Sequence, residues 1–312
     1  MSSRIARLLI VSLVFTTTSC ERPPSSEAHY RVMEMLKTAD YEQALKDVNR
    51  GLEKDPNKIV LLEDRLILLL GNGNPQARED VLKTQARLDA AGGGRFILLE
   101  QAQSRLPQVR QQTAYLLGVL REPDGLSALK GLAEDENDEV RAEAVHALAK
   151  LNAPDAKKLL MIRLRDGYWK VRAEAAAALA KSKDPAVTSQ LFRVVADPDD
   201  YARMQILNAV LDLADPSQTD FYLNALDSDE IHKKTAAALA LAKIHRAEAV
   251  PALIDLLKDK DGPERLQLAQ ALIRLHADPA RLEALLKNER NPQVKEVFLQ
   301  YLQQRSGGTR AG

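Results

Sequence analysis

Glu136–Asp155 reads ENDEVRAEAVHALAKLNAPD, and Lys170–Pro185 repeats much of it as KVRAEAAAALAKSKDP. The pairs Val109-Arg110, Val140-Arg141 and Val171-Arg172 stand 31 residues apart. The same step reaches Ala202-Arg203, Lys233-Lys234 and Glu264-Arg265, then drifts by one residue to Val294-Lys295. A period of about 20–50 residues marks a repeat array, in which each unit buries its apolar face only against its neighbours.

Within the period each unit reads as helix, Asp-containing turn, second helix, Pro-containing turn. Eight residues after the valine position come Leu117, Leu148, Leu179, Val210, Leu241, Leu272 and Leu302. Small residues fill the positions between, as in Ala142, Ala144, Ala147 and Ala173, Ala175, Ala178. Spacing i, i+4, i+8 makes one apolar stripe on a helix. Pro123, Pro154, Pro185, Pro216 and Pro279 follow the stripe, where proline ends one helix and can open the next. Before it stand Asp135, Asp166, Asp197 and Asp259, with Asn137, Asp199, Asp261 and Asn291 two residues on, where an N-cap is wanted.

These features resemble HEAT repeats of the short type found in phycobilin lyases and many bacterial adaptor proteins. The resemblance implies an all-α, right-handed α-solenoid of about seven HEAT-like hairpins over residues 95–305, with 306–312 a disordered tail. It implies no single function, because one fold hosts both enzymes and scaffolds.

Ahead of the solenoid, residues 28–94 read as a helical unit. Ala39–Lys58, ADYEQALKDVNRGLEKDPNK, resembles the second half of a tetratricopeptide repeat at Tyr41, Ala44, Leu45, Val48 and Asp55-Pro56. Gly51 replaces a usual alanine there, and the first half lacks the family's Trp and Gly. An unrelated pair of capping hairpins is the other reading. Ala90–Gly94, AAGGG, is the clearest breaker and marks the expected domain boundary.

At the amino terminus Arg4 and Arg7 precede an apolar run, Leu8–Phe15, then small residues up to Cys20. A charged segment, a short apolar core and a small-residue processing site read as a secretory signal, residues 1–19. The run is shorter than the ~20 residues needed to span a bilayer. The ending TTTSC resembles the bacterial lipoprotein signal, although Thr17 departs from the usual Leu. It implies lipidation of Cys20, a tether over residues 20–27 and an envelope location. Glu21 after the cysteine points to the outer membrane, facing the periplasm. Ordinary signal cleavage leaving Cys20 free is the alternative.

Basic and acidic residues balance at 44 each and the pI is near 7, which disfavours a nucleic-acid partner. Cys20 is the only cysteine, so neither a disulfide framework nor a thiolate metal cluster is expected within one chain. His245 and His276 are also 31 apart, but the matching positions hold Asn152 and Lys183, so no metal site is expected. There is no G-x-S-x-G, P-loop, H-E-x-x-H or dinucleotide glycine pattern. Neither catalytic residues nor a cofactor are expected.

Two polar features remain. Arg110, Arg141, Arg172, Arg203, Lys234 and Arg265 form a regular ladder. It reads either as a basic ribbon or as a structural ladder, bonded to Asp135, Asp166, Asp197 and Asp259 of its own or neighbouring turns. The HEAT resemblance places the second helices on a concave side. Gln112, Tyr115, Glu143, His146, Glu174, Ala177, Gln205, Asn208, Gln267 and Gln270 are then expected to line a neutral-to-acidic groove. Tyr168, Trp169 and Tyr201 sit in adjacent turns, as an exposed aromatic patch or as a Trp packed over a turn. Exposed aromatics are enriched at interface hot spots. The expected function is a non-enzymatic envelope scaffold that binds protein partners. The alternative is a lyase or chaperone-like cofactor-attachment protein of the phycobilin-lyase type.

Overall fold

The computed structural model describes residues 32, 41–72, 77–91, 94–121, 125–151, 154–259 and 264–308. The signal segment, Cys20, the tether and Asp261 lie outside the described residues, as does the side chain of Asp259. Among the described residues every regular element is helical. No described helix is long and apolar enough to cross a membrane.

The chain divides into two compact units, 1–113 and 114–312. In the first, α1 (Tyr41–Lys54) packs on α2 (Ile59–Asn72), α2 on α3 (Arg78–Ala90), and α3 on α4 (Gly94–Gln101). Ala44, Val48 and Leu52 form the buried stripe of α1, and Leu62, Leu66 and Leu70 that of α2. A Cβ at Gly51 would lie 2.7 Å from Leu61 Cδ1, so any larger residue there would have to displace the end of that side chain. Arg65 ties α2 to α1 through Asn49 Oδ1, 2.9 Å from its Nε. The glycine run ending at Gly94 leads into a helix that packs back on α3, so the break between units falls at 113–114 rather than at 94–95.

Helix α5 (Pro107–Leu120) runs from one unit into the next. Beyond it, hairpin follows hairpin: α6 (Gly125–Leu132) with α7 (Asp138–Leu151), α8 (Lys157–Arg163) with α9 (Trp169–Ala180), α10 (Thr188–Phe192) with α11 (Asp200–Asp212). Then come α12 (Thr219–Leu226) with α13 (Ile231–Lys243), α14 (Val250–Asp259) with α15 (Arg265–Arg274), and α16 (Pro279–Asn288) with α17 (Pro292–Gly308). Each second helix from α7 onward packs on the next, α7 on α9 through to α15 on α17. The last helix extends past residue 305, where the tail was expected to begin.

The repeat positions do the work their chemistry suggests. Val140, Val171, Ala202 and Val294 are fully buried, as are Leu148, Leu179, Val210, Leu241 and Leu272 one stripe along. Gly118 has Ala147 where its Cβ would stand, 2.6 Å from Ala147 Cβ, so the small pair sets the helix separation there. Asn137 caps α7, accepting from the N–H of Glu139 and Val140, Asp199 caps α11 through Ala202, and Asn291 caps α17 through Gln293 and Val294. Several prolines open a short 3-10 turn rather than the first helix itself, at Pro154–Ala156, Pro185–Val187 and Pro216–Gln218.

Among the described residues four second helices are followed by a left-handed residue: Arg121, Lys183, His245 and His276. His245 (φ 60°) and His276 (φ 52°) each close a 6→1 and 5→2 pair of backbone bonds: Arg246 N to Leu241 O with His245 N to Ala242 O, and Ala277 N to Leu272 O with His276 N to Ile273 O. This is the Schellman geometry, usually reserved for glycine. Lys183 (φ 49°), two periods before His245, makes the 5→2 bond alone, its N–H to the Ala180 carbonyl at 3.3 Å. The shared spacing of the two histidines therefore records a helix-ending turn.

Candidate functional site

Arg141 bridges two hairpins. Its Nε and Nη2 donate to the two carboxylate oxygens of Asp166, at 3.0 and 2.8 Å, while Nη1 donates to the Asp135 carbonyl at 2.9 Å. Arg172 repeats this one unit on, with Asp197 at 2.6 and 2.7 Å and the Asp166 carbonyl at 2.9 Å. Each aspartate also accepts the N–H two residues on: Asp135 from Asn137, Asp166 from Tyr168, Asp197 from Asp199. One carboxylate thus shapes its own turn and anchors the preceding unit's arginine. Burial pushes the Asp166 carboxyl up, but the bonds from Arg141 and the Tyr168 N–H outweigh it and hold the group below its ordinary value. Arg110 makes the matching bond to its own turn, Nη1 to the Ser104 carbonyl at 2.8 Å.

The ladder then changes partners. Ser228 stands where the fifth unit would carry its aspartate. Arg203 keeps the bond to its own turn, the Asp197 carbonyl at 2.7 Å, and pairs with Asp200 and with Glu264, 61 residues away at 3.3 Å. Arg265 closes on Glu289, Nε to Oε1 at 3.0 Å and Nη2 to Oε2 at 2.8 Å. Lys234 is half-buried at its ladder position. The bonded arginines are cross-links between turns, and their charge is met by internal carboxylates.

At the amino-terminal ends of α9 and α11 the three predicted aromatic residues come together, Tyr168 as the N-cap of α9 and Trp169 and Tyr201 in the first turns of the two helices. Trp169 and Tyr201 meet edge to face with ring centroids 5.3 Å apart, and Tyr168 lies 5.6 Å from Trp169. Tyr201 is 56% exposed; Tyr168 and Trp169 are half-buried. Tyr168 is held by its hydroxyl, which donates to Glu139 at 2.5 Å and is thereby pushed up to about 12. Lys170 joins the same carboxylate at 2.7 Å. The neighbouring Asp166-Gly167 turn also walls an open cavity of about 510 Å³, with Met161, Ile162, Gln190 and Val194 among its lining.

Along the second helices, Glu143, His146, Glu174, Ala177, Gln205, Asn208 and Gln267 are half-exposed and Gln270 is exposed. His146 Nδ1 lies 2.8 Å from Glu174 Oε2, joining α7 to α9. Tyr115 is half-exposed with the Lys150 ammonium 5.2 Å from its ring centroid. Gln112 departs from the expectation: it is only 5% exposed. Val109–Ala114 is buried at every position but Gln111, so the groove position Gln112 is not on an open face.

A family model of HEAT repeats matches residues 97–168, 158–230 and 219–303, well over half of the chain. The chain belongs to the HEAT-repeat family. Among solved structures, the complex of CpcE and CpcF of phycocyanin lyase from Nostoc sp. PCC7120 is 21% identical, with a TM-score of 0.40, covering 67% of this chain and 87% of that one. YibA of Escherichia coli is 16% identical, with a TM-score of 0.48, covering 93% and 99%. Human deoxyhypusine hydroxylase in complex with glycerol is 16% identical, with a TM-score of 0.33, covering 82% and 99%. A search of curated proteins finds no sequence match.

Two residues of this HEAT ladder escape the sequence reading. Glu289 stands five residues before Val294, as Asp135, Asp166 and Asp197 stand five before Val140, Val171 and Ala202. The one-residue drift of the last HEAT unit hides it. Glu264 occupies the valine position of its unit yet is only 2% exposed, and it receives Arg203 from two units back. Gln267 Nε2 likewise reaches Asn208 Oδ1 at 3.3 Å, again between α15 and α11. These side chains meet past α13, where the groove positions are Ala236 and Leu239, both buried. Thr235–Ala242 is buried at every position, so α13 is enclosed by its neighbours.

Proposed function

We propose that this HEAT-repeat protein is a non-enzymatic scaffold of the bacterial envelope. In this reading Cys20 carries a lipid, residues 21–27 form the tether, and Glu21 favours the outer membrane. The helical units then face the periplasm and hold protein partners, with the tetratricopeptide-like stretch 28–94 as a second surface. The observation that carries the binding role is the ring cluster Tyr168, Trp169 and Tyr201. It stands on turns cross-linked by Arg141–Asp166 and Arg172–Asp197, so large side chains are presented on a rigid support. Rigid aromatic anchors are the usual source of binding energy in such surfaces. The test is capture of partners from an envelope extract by the wild type and by Trp169→Ala with Tyr201→Ala. Loss of capture with helicity and melting kept near wild type is expected. Capture that survives in the folded double variant overturns the reading.

A second reading, a cofactor-attachment protein of the phycobilin-lyase type, draws on one observation. His146 and Glu174 are a close acid–imidazole pair on the second-helix face, the kind of pair general acid–base chemistry uses. Under the scaffold reading it is a bridge between α7 and α9, and titration with a phycobilin leaves the pigment's absorbance unchanged. A saturable spectral change lost in His146→Ala decides for the second reading.

A further inference from the structure

We propose that the aromatic turn surface takes a cationic, extended segment of a protein partner, rich in Lys or Arg. This rests on the scaffold reading above and adds the chemistry of what is held. The rings lie between acidic turns. The preceding unit's turn reads EDENDE at Glu134–Glu139, the turn before Tyr201 reads DPDD at Asp197–Asp200, and the following unit's reads DSDE at Asp227–Glu230.

Several of these carboxylates are already met by bases of the fold. Asp138 pairs with Arg141, Asp197 with Arg172, Asp200 with Arg203, Glu139 with Lys170 and Glu230 with Lys233. Glu134, Asp227 and Asp229 are exposed, and none has an ion pair among the described residues. Glu134 stands on the turn before the rings, and Asp227 and Asp229 on the turn after them, which leads into Ile231, itself 39% exposed. Arg165 and Arg193 are the exposed bases near these turns, fewer than the three open carboxylates. The outer flanks of the aromatic centre therefore carry open negative charge, Glu134 on one side and Asp227 with Asp229 on the other.

That combination selects cations. Trp and Tyr rings attract guanidinium and ammonium groups, and carboxylates add charge-assisted hydrogen bonds. An anionic chain or lipid surface would meet like charge. Adjacent helices pack about 10 Å apart, so the turns from the second to the fifth HEAT unit span roughly 30 Å. An extended chain rises about 3.3 Å per residue, so about nine residues would cover them.

Trp169 is the only tryptophan, so its emission reports this surface alone. The intact chain is titrated with capped nona-arginine and nona-glutamate at physiological ionic strength. A saturable emission change with nona-arginine and none with nona-glutamate is expected. Glu134→Lys, Asp227→Lys and Asp229→Lys together should weaken it by about tenfold or more, as removal of complementary charge does. A charge-matched control reverses Asp155, Asp212 and Asp220, exposed residues about 18 Å away at the other end of the second helices. It should stay within about twofold of wild type if the flanking charge is what binds. No response to nona-arginine, or equal weakening in both triple variants, overturns the inference, with circular dichroism reporting that each variant is folded. Partner capture that needs Trp169 and Tyr201 while nona-arginine fails to bind removes this inference and leaves the scaffold reading. Capture indifferent to the two rings removes both.

Discussion

Replacing Arg172 by alanine should cost about 3 kcal/mol, and the structure says where that figure comes from. Four hydrogen bonds disappear: two to Asp197 at 2.6 and 2.7 Å, and two to the carbonyls of Asp166 and Gly167 at 2.9 and 3.2 Å. The Asp197 side chain is only 3% exposed, so its carboxylate is left with little water and the single N–H of Asp199. Breaking one side of a buried pair costs about 3–5 kcal/mol, and hydrogen bonds to charged groups are worth about 1.5–3 kcal/mol each. Arg172 itself keeps a 12% exposed side chain, and its removal opens a path for water to Asp197, which argues for the low end. Asp197→Ala should cost less, because the long arginine can swing its head into solvent while its stem stays packed. Urea unfolding followed by Trp169 emission, three residues from the lesion, separates local from global loss in a repeat array that need not unfold as one unit. The double variant gives the coupling energy. An unchanged midpoint for Arg172→Ala, or a coupling under about 0.5 kcal/mol, would refute the buried cross-link.

Three further outcomes are expected. Asp166 and Glu289 have native carboxyls held low, because bonds from Arg141 and Arg265 outweigh burial. The unfolded chain therefore binds protons first, so their contribution is complete above about pH 4 and is lost as pH falls through the depressed native values; urea midpoints measured from pH 7 to pH 2 should drop only in that acid range. His245→Gly should raise stability by about 1 kcal/mol, since glycine adopts φ 60° without the Cβ clash, and an unchanged or lower melting temperature would count against strain there. Cys20→Ser should move the chain out of the membrane fraction or leave it unprocessed; a wild type that is soluble, with an amino terminus other than residue 20, would remove the lipid anchor.

Much of the architecture was written in one period. Fixing Val140-Arg141 and Val171-Arg172 fixes which residues are buried, where each turn falls and which side chain caps the next helix. The arginine–aspartate rungs follow from the same spacing, because a long base and a short acid on successive turns can meet only if the turns stack. The period fails where it slips. Glu289 was missed because the last HEAT unit is one residue short of register, and Gln112 was misplaced because α5 is covered at a groove position that later units leave open. The ring cluster was legible from sequence, since Trp169 and Tyr201 lie on consecutive turns, but its edge-to-face geometry and the anchoring of Tyr168 by Glu139 were not.

The contacts past α13 belong to a different class, because no nearest-neighbour rule for stacked repeats contains them. A solenoid treated as a one-dimensional array couples each unit only to the next. Arg203 with Glu264, and Asn208 with Gln267, couple the fourth unit to the sixth. The cause is local and readable afterwards: the fifth unit carries Ala236 and Leu239 where its neighbours carry polar groove residues, and Ser228 where they carry the ladder aspartate. Without that aspartate Arg203 needs another carboxylate, and Glu264 supplies one from a position that valine holds in earlier units. The buried Glu264 carboxylate is met by Arg203 at 3.3 Å and has His232 of the intervening unit 3.9 Å away, so a charge that would be costly if buried alone is compensated. The acid in the valine position and the missing aspartate are thus one substitution made in two places. Together they turn the most apolar HEAT unit into the point where next-nearest neighbours lock.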